Sequence, residues 1–221
     1  MSKQTSFDLS GAPALAREDF FVSPCNAVAV AMIDAPQTWP SGKLALTGPA
    51  GSGKTHLAQI WATENNARLL PATNLTEGDI SYLAQGSVAV EDVPALSDDL
   101  SAQKMLFHLH NLVLANGHRL LLTGRPAPKH WALSLPDLQS RIEGAQHAAL
   151  QEPDDQLLGA VLGKLFADRQ ILPKPDVIPY LVSHMDRSFA AAGEIVDRLD
   201  RTALDEKRSL NRALAIRLLA P

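Results

Sequence analysis

One short segment, GPAGSGKT at residues 48–55, constrains the fold of this chain more than any other. It matches the phosphate-binding pattern G-x-x-x-x-G-K-[ST] in full. A buried strand is predicted before it (KLALTG, residues 43–48), and a helix is predicted after it from Thr55. Glycines let such a loop wrap so that backbone N–H groups point at phosphate oxygens, and the helix adds its positive end. The motif therefore predicts a nucleotide held between a buried strand and a helix.

Each residue of this loop has an expected part in the phosphate site. The Lys54 ammonium is expected to reach the β and γ phosphates of ATP or ADP, and the Thr55 hydroxyl to hold Mg²⁺. The sequence does not distinguish ATP from ADP. The remaining predicted contacts are Gly48, Pro49, Ala50, Gly51, Ser52 and Gly53.

Two acids, Glu91 and Asp92, end a further predicted strand, SVAVEDV at residues 87–93. We expect this parallel strand to lie beside the strand of the phosphate loop, with both carboxylates facing the phosphates and Glu91 reaching the Mg²⁺. Such sites usually place Asp first, for the metal, followed by an acid that orients water. The reversed order here favours slow hydrolysis.

The apolar pattern divides the chain into three parts. Predicted strands alternate with helices up to about residue 152, which indicates an α/β domain with a parallel sheet and helices on both faces, over residues 20–152. Asn26 is placed to cap its first helix. Helical spacing then predicts a small all-α lid domain, residues 153–221, with Ser209 capping its last helix. Residues 1–19 are expected to form a flexible tail.

Composition narrows the classes of partner. The net charge is −4, so a basic face for direct DNA binding is not expected. A single cysteine, Cys25, excludes an intramolecular disulfide, and no apolar run reaches membrane-spanning length. The N-terminus lacks the apolar core of a signal peptide. These features favour a cytoplasmic protein with no membrane contact.

Five blocks together resemble the DnaA/Hda family of AAA+ proteins: FFVSPCNAVAVAMI, LALTGPAGSGKTHLAQIW, VAVEDV, LLLTGRPAP and LPDLQSRIEG. The likeness is greatest to the shortened, Hda-like regulators, because the chain ends after the lid. The segment between Lys54 and Glu91 is also short for the helices with which DnaA grips single strands. The resemblance implies an AAA+ fold, bound ADP or ATP, and two partners, the DNA polymerase III sliding clamp (beta subunit) and DnaA. It also implies the activity of the Hda-like group: promoting hydrolysis of DnaA-bound ATP, which prevents re-initiation of replication.

The family pattern assigns further residues. An AAA+ protein needs an arginine that reaches a neighbour's nucleotide, and Arg141 in LPDLQSRIEG matches this arginine finger, acting in trans. Alignment places Ala190 where the family carries a sensor arginine, with Arg187 on the same helix face as a substitute. The first sensor segment, which ends T-S-D-R in DnaA, reads Thr123-Gly124-Arg125-Pro126 here and lacks the Asp. These departures predict stable nucleotide binding and weak intrinsic turnover. The residues expected near the adenine are Phe20, Val22 and Asn26.

The tail carries QTSFDL at residues 4–9, which has two readings. In Hda-like proteins such a peptide binds the sliding clamp, and the matching residues are Gln4, Phe7, Asp8 and Leu9. The other reading is a tail that packs on its own domain. Two alternative functions stay open at this point, a DnaA-like helicase loader and a P-loop nucleotide kinase. The oligomeric state also stays open, with a homodimer as one option.

Overall fold

The sheet is parallel throughout, as predicted. The computed structural model describes Arg17, residues 20–206 and residues 209–219. Within these residues five strands form one sheet in the order β2-β3-β4-β1-β5. Their bounds are β1 Lys43–Thr47, β2 Arg68–Pro71, β3 Val88–Glu91, β4 Leu120–Gly124 and β5 Gln146–Ala149.

The strand order corrects one expectation. The strand that ends at Glu91, β3, does not lie beside β1, because β4 pairs with both of them and separates them. The acids of β3 therefore approach the phosphate loop across the end of β4. The edge strand β5 was not predicted at all, since its sequence QHAA has neither β-branched residues nor an apolar alternation.

Helices cover both faces of the sheet. They are α1 Ala27–Ile33, α2 Lys54–Glu64, α3 Ile80–Leu83, α4 Leu100–Ala115, α5 Pro136–Glu143, α6 Asp155–Asp168, α7 Val177–His184, α8 Phe189–Asp205 and α9 Arg212–Leu219. Successive side chains of a strand point to opposite faces, so Leu44 and Leu46 share a core with α1 and α2, whereas Ala45 between them shares a core with α3, α4 and α5.

The last four helices, α6 to α9, share an apolar core of their own. We call them the C-terminal helices. The Asp154 side chain caps α6 and Ser188 caps α8, each by accepting from a backbone N–H three residues on. The predicted cap of α9 was wrong: α9 begins at Arg212 and Asn211, not Ser209, accepts the Leu214 N–H. The boundary of the lid domain at residue 153 stays a prediction.

No helix in the described part of the chain is both long enough and apolar enough to cross a bilayer.

Candidate functional site

The phosphate loop, residues 48–55, joins β1 to α2 and is held from outside by the start of α8. Gly51 has φ +70° and Gly53 has φ +91°, which side chains of L residues rarely adopt. A Cβ at Gly51 would lie 2.5 Å from the Ser188 Cβ, and one at Gly53 would lie 2.9 Å from a ring carbon of Phe189. The glycines are therefore required both by the loop's path and by the close approach of α8.

A backbone bond completes this junction. The Phe189 N–H donates to the Gly51 carbonyl over 3.0 Å, so the first residue of α8 is tied directly to the loop. Sequence patterns carry no signal for such a contact, because it joins segments that are far apart in the chain. The loop and the C-terminal helices consequently form one structural unit.

Lys54 lies where the motif predicts, at the first position of α2. Its ammonium donates to the carbonyls of Gly48 at 2.8 Å and Pro49 at 2.7 Å. Burial lowers the pKa of Lys54, and the nearby positive charge of Arg125 lowers it further. A ligand that brings negative charge would oppose both effects and favour the charged ammonium.

Ser52 shows that the loop suits a polar ligand. Its side chain is 3% exposed, and its hydroxyl has no hydrogen-bond partner among the described residues. Buried hydroxyls normally find a partner. An unmet hydroxyl inside a glycine-rich turn, together with an ammonium, fits the phosphates of a nucleotide.

Glu91 and Asp92 lie close enough to Lys54 to raise its pKa by Coulombic attraction, so the predicted acids do converge on the loop. Asp92 has a left-handed backbone, with φ 54°, and its N–H donates to the Thr123 hydroxyl over 3.0 Å. Thr123 is buried near the end of β4. It fixes the path of the chain at Asp92, a contact that the sequence did not indicate.

A cavity of about 580 Å³ opens beside the loop. Its walls come from the phosphate loop, α2, the segment Phe20-Phe21 and the helices α6 and α8. Lys54 and Thr55 supply polar groups. The lining from the C-terminal helices includes one ion pair, Lys164 with Asp168 at 3.2 Å, and is otherwise apolar: Leu157, Val161, Leu165, Phe189, Ala190 and Gly193. Apolar walls with a few polar groups suit the flat ring of a base.

Of the three residues expected near the adenine, Phe20 lines the cavity, whereas Val22 and Asn26 do not. Phe20 lines the cavity and contacts the His56 ring edge-to-face, with the ring centroids 5.2 Å apart. Val22 does not line it and is 52% exposed. Phe21, which was not predicted, does line it.

Asn26 is 4% exposed, and its side chain supports the segment that forms one wall of the cavity. Its Nδ2 donates to the Phe21 carbonyl over 3.0 Å, and its Oδ1 accepts the Ser23 N–H over 2.9 Å. The predicted capping bond to α1 is absent from the described contacts of this side chain. Asn26 therefore stabilises the turn before α1 and does not itself line the cavity.

The helix-face argument for Arg187 was wrong. Helix α8 begins at Phe189, so Arg187 precedes it. Its guanidinium pairs with Asp155 at 2.6 Å and donates to the Pro153 carbonyl at 3.2 Å. Ala190 lines the cavity and Arg187 does not.

Arg141 lies near the N-terminal end of β1, whereas the phosphate loop follows the C-terminal end of that strand. It is exposed in the last turn of α5, and its carbonyl accepts from the ammonium of Lys43, the first residue of β1. The following strand β5 begins at Gln146, which pairs with Leu44 near the same end of β1. The length of β1 alone separates its N-terminal end from the phosphate loop by about 13 Å. The residues Gln4, Phe7, Asp8 and Leu9 lie outside the described part of the chain.

Solved structures share this architecture. Domain III of the replication initiation protein DnaA from Thermotoga maritima has a TM-score of 0.78 at 20% identity, over 94% of this chain and 95% of that one. AMPPCP-bound DnaA from Aquifex aeolicus has a TM-score of 0.69 at 19% identity, over 86% and 66%. The RuvB Holliday junction branch migration motor from Thermotoga maritima has a TM-score of 0.66 at 16% identity, over 86% and 65%.

These comparisons establish a DnaA-like AAA+ fold for this chain and confirm the predicted fold class. No protein-family model matches the sequence. The narrower resemblance to Hda-like regulators stays a prediction.

Proposed function

We propose that this chain, with its DnaA-like AAA+ fold, binds an adenine nucleotide and acts through Arg141 on the nucleotide of another AAA+ protein. The observation that carries the first part is the cavity between the phosphate loop and the C-terminal helices. It joins a polar, glycine-built turn to an apolar compartment, which are the two environments that phosphates and a base require. The DnaA of Aquifex aeolicus, which has the same fold, is bound to AMPPCP.

The chain's own residues would divide the work as follows. Backbone N–H groups of residues 50–55 would bind the phosphates, and the Lys54 ammonium would exchange its two carbonyl acceptors for phosphate oxygens. Thr55 and Glu91 would hold Mg²⁺, which supplies charge neutralisation at the phosphates, and Asp92 would be the second acid beside them. Phe20 and Phe21 would face the base from one side and the apolar residues of α6 and α8 from the other.

Several features favour slow turnover of the chain's own nucleotide. Helix α8 presents Ala190 to the cavity, where the family resemblance would place an arginine. Arg187 is engaged with Asp155. The acid that ends β3 is a Glu, and Asp92, which follows it, is exposed in a left-handed turn. A site built in this way is suited to hold ADP or ATP as a stable part of the fold.

Arg141 would act in trans. Its position near the N-terminal end of β1, remote from its own phosphate loop, supports action on a neighbour's nucleotide. A guanidinium at a γ-phosphate stabilises charge that develops in the transition state, and such arginines contribute roughly 10³–10⁵ in rate in GTPases. The family resemblance makes DnaA the target and the sliding clamp the site of recruitment, through Gln4, Phe7, Asp8 and Leu9 in the cytoplasm. The outcome would be inactivation of DnaA and control of replication initiation.

The decisive experiment measures ATP hydrolysis by DnaA in the presence of DNA-loaded clamp and this protein. The wild-type chain should stimulate hydrolysis, and Arg141→Ala should abolish the stimulation while binding nucleotide normally. Arg201→Ala, which removes another exposed arginine, in α8, is the matched control and should behave as wild type. Equal stimulation by Arg141→Ala would exclude the finger assignment.

A second measurement tests recruitment. Gln4→Ala combined with Phe7→Ala should abolish clamp binding and leave nucleotide affinity and the free energy of unfolding unchanged. A loss of stability would instead restore the reading of a packed tail. Binding to replicative helicase and not to clamp would replace the proposal with a helicase loader.

A further inference from the structure

A second buried lysine lies beneath α5, remote from the phosphate loop. Lys43 is 6% exposed, although it carries a charged ammonium. This ammonium donates to the Arg141 carbonyl over 2.5 Å and lies 3.5 Å from Nε2 of His110, which is 3% exposed in α4. Three elements, β1, α4 and α5, thus meet at one polar cluster, which we call the Lys43 cluster: Lys43, His110 and the Arg141 carbonyl.

Burial of the Lys43 ammonium opposes folding. Both acceptors that the described residues offer to the Lys43 ammonium are neutral, so no carboxylate among them offsets the loss of hydration. Burial lowers the pKa of Lys43, and the positive charge of Arg141 lowers it further. An apolar side chain would fill the same space without this cost. The packing of β1 therefore does not account for a lysine at this position.

The benefit is local and falls on α5. The last four carbonyls of a helix have no partner within it, and a cation near them is favourable. Lys43 supplies both a donor and a charge to the turn that carries Arg141. In an eight-residue helix, one charge-assisted bond in the last turn is a large part of what orders that end.

His110 sets the direction of the Lys43 ammonium. Its Nδ1 lies 3.1 Å from Oδ1 of Asn111, which can only accept, so Nδ1 carries the proton and Nε2 is free to accept from Lys43. Burial lowers the pKa of His110, which keeps the ring neutral near pH 7. The charged groups that face the ring are Lys43 from β1 and Arg141 from α5, and both are cations that oppose its protonation.

We propose that Lys43 and His110 are positioning residues for Arg141, and that a proton on His110 releases the last turn of α5. The hold on α5 stands on the contacts alone, whereas its consequence for a partner's nucleotide rests on the function proposed for Arg141. A protonated ring could no longer accept from Lys43 and would place a cation 3.5 Å from the ammonium. Control of Arg141 through its backbone would leave the chain's own phosphate loop unaffected.

Hydrogen exchange of the full chain tests the hold. In Lys43→Met, amides in the last turn of α5 should exchange about ten- to a hundredfold faster, as expected for loss of one charge-assisted bond. Exchange in α6, nucleotide affinity and the midpoint of thermal unfolding should not fall. Unchanged exchange in α5 would overturn the proposal. A lower melting temperature with faster exchange in every helix would also overturn it, because that pattern marks a general structural role.

A pH series tests the part of His110. Protection of α5, taken relative to α6 in the same sample because α6 has no histidine, should fall as the pH drops below 6.5. His110→Gln keeps an acceptor for Lys43 but does not titrate, so its profile should be flat. The same acid-induced loss in His110→Gln would exclude His110 as the sensor.

The stimulation assay separates this proposal from the one on which it partly rests. Lys43→Met should reduce stimulation of DnaA about tenfold, less than Arg141→Ala does, because the arginine is still present but less ordered. If Arg141→Ala stimulates normally while Lys43→Met loosens α5, the finger is wrong and the hold on α5 is right. If Arg141→Ala is inactive while Lys43→Met keeps α5 protected and stimulates fully, the positioning role is wrong.

Discussion

Two lysines, one at the start of β1 and one in the loop that follows its last residue, make similar hydrogen bonds but have different roles. Lys54, on the side of the phosphate loop, donates to two carbonyls of its own loop, and Lys43, on the other, donates to a carbonyl of α5. Burial lowers the pKa of both. The difference lies in what surrounds them: Lys54 lines a cavity and is near Glu91 and Asp92, while Lys43 faces His110 and the cation of Arg141.

This contrast separates a binding group from a supporting one. The partners of Lys54 lie within a loop built of glycine, and a phosphate can replace them. The partner of Lys43 is the end of a helix in another part of the fold, and nothing small can take its place without loosening that helix. A buried lysine should therefore be judged by its acceptors, not by its burial.

The largest effect is expected from Lys54→Ala. Loss of charge-assisted bonds to phosphate, at about 1.5–3 kcal/mol each, should weaken nucleotide binding a hundredfold or more. Titration calorimetry with ADP and ATP would measure it. Lys43→Met is the matched variant and should bind nucleotide like wild type. Equal losses in the two variants would remove the distinction between them.

Gly51→Ala should have the next largest effect. The alanine Cβ would adopt φ +70° and lie 2.5 Å from the Ser188 Cβ, so the loop or the start of α8 must move. The left-handed conformation alone costs roughly 1–2 kcal/mol, and the clash adds to it. Denaturant unfolding should show this loss. The control, Gly159→Ala, meets no atom within 4 Å in α6 and should stabilise by about 0.5–1 kcal/mol.

The pH dependence of stability tests whether His110, the neighbour of Lys43, contributes to the fold only while its ring is neutral. The folded-state pKa of His110 is lowered, so its stabilising contribution is fully present above about pH 6.5 and is lost as the pH falls through the lowered value. The free energy of unfolding of wild type, minus that of His110→Gln, should be flat above pH 6.5 and decline below it. One proton limits the slope to about 1.4 kcal/mol per pH unit. A difference that is constant from pH 5 to pH 8 would contradict this account.

The smallest effect is expected from Arg187→Ala. Its ion pair with Asp155 is exposed, and such pairs contribute about 0–1 kcal/mol. Nucleotide affinity should change less than about twofold, since Arg187 does not line the cavity. A tenfold loss of affinity, measured as for Lys54→Ala, would show that Arg187 moves to the nucleotide after all.

Contiguous features were predictable from the sequence, and assembled ones were not. The phosphate loop lies within eight residues whose spacing alone encodes its geometry, so Lys54 and the glycines lie where expected. The cavity joins Phe21 to Val161 and Phe189, which are brought together by packing and carry the same apolar pattern as core residues. Only the topology places β4 between the acids and the loop.

Local chemistry also misled where a side chain had two options. An asparagine before a helix can cap it, yet Asn26 bonds instead to the Phe21 carbonyl and the Ser23 N–H of the preceding turn. Strand β5 is held by its pairing with β1 rather than by any preference of Gln146–Ala149. A local alternative decided the outcome at Asn26, and a long-range partner decided it at β5.

The bond between Phe189 and Gly51 ties the first residue of α8 to the phosphate loop, so a change in the loop would tilt the whole helix about that point. Its 17 residues span about 25 Å, so a tilt of about 5° at the loop would swing the far end by roughly 2 Å. Helices α6 and α9 pack against α8 and would travel with it. The position of the outer surface of the C-terminal helices would thus depend on the conformation of the loop, and a protein bound to that surface would be affected by it.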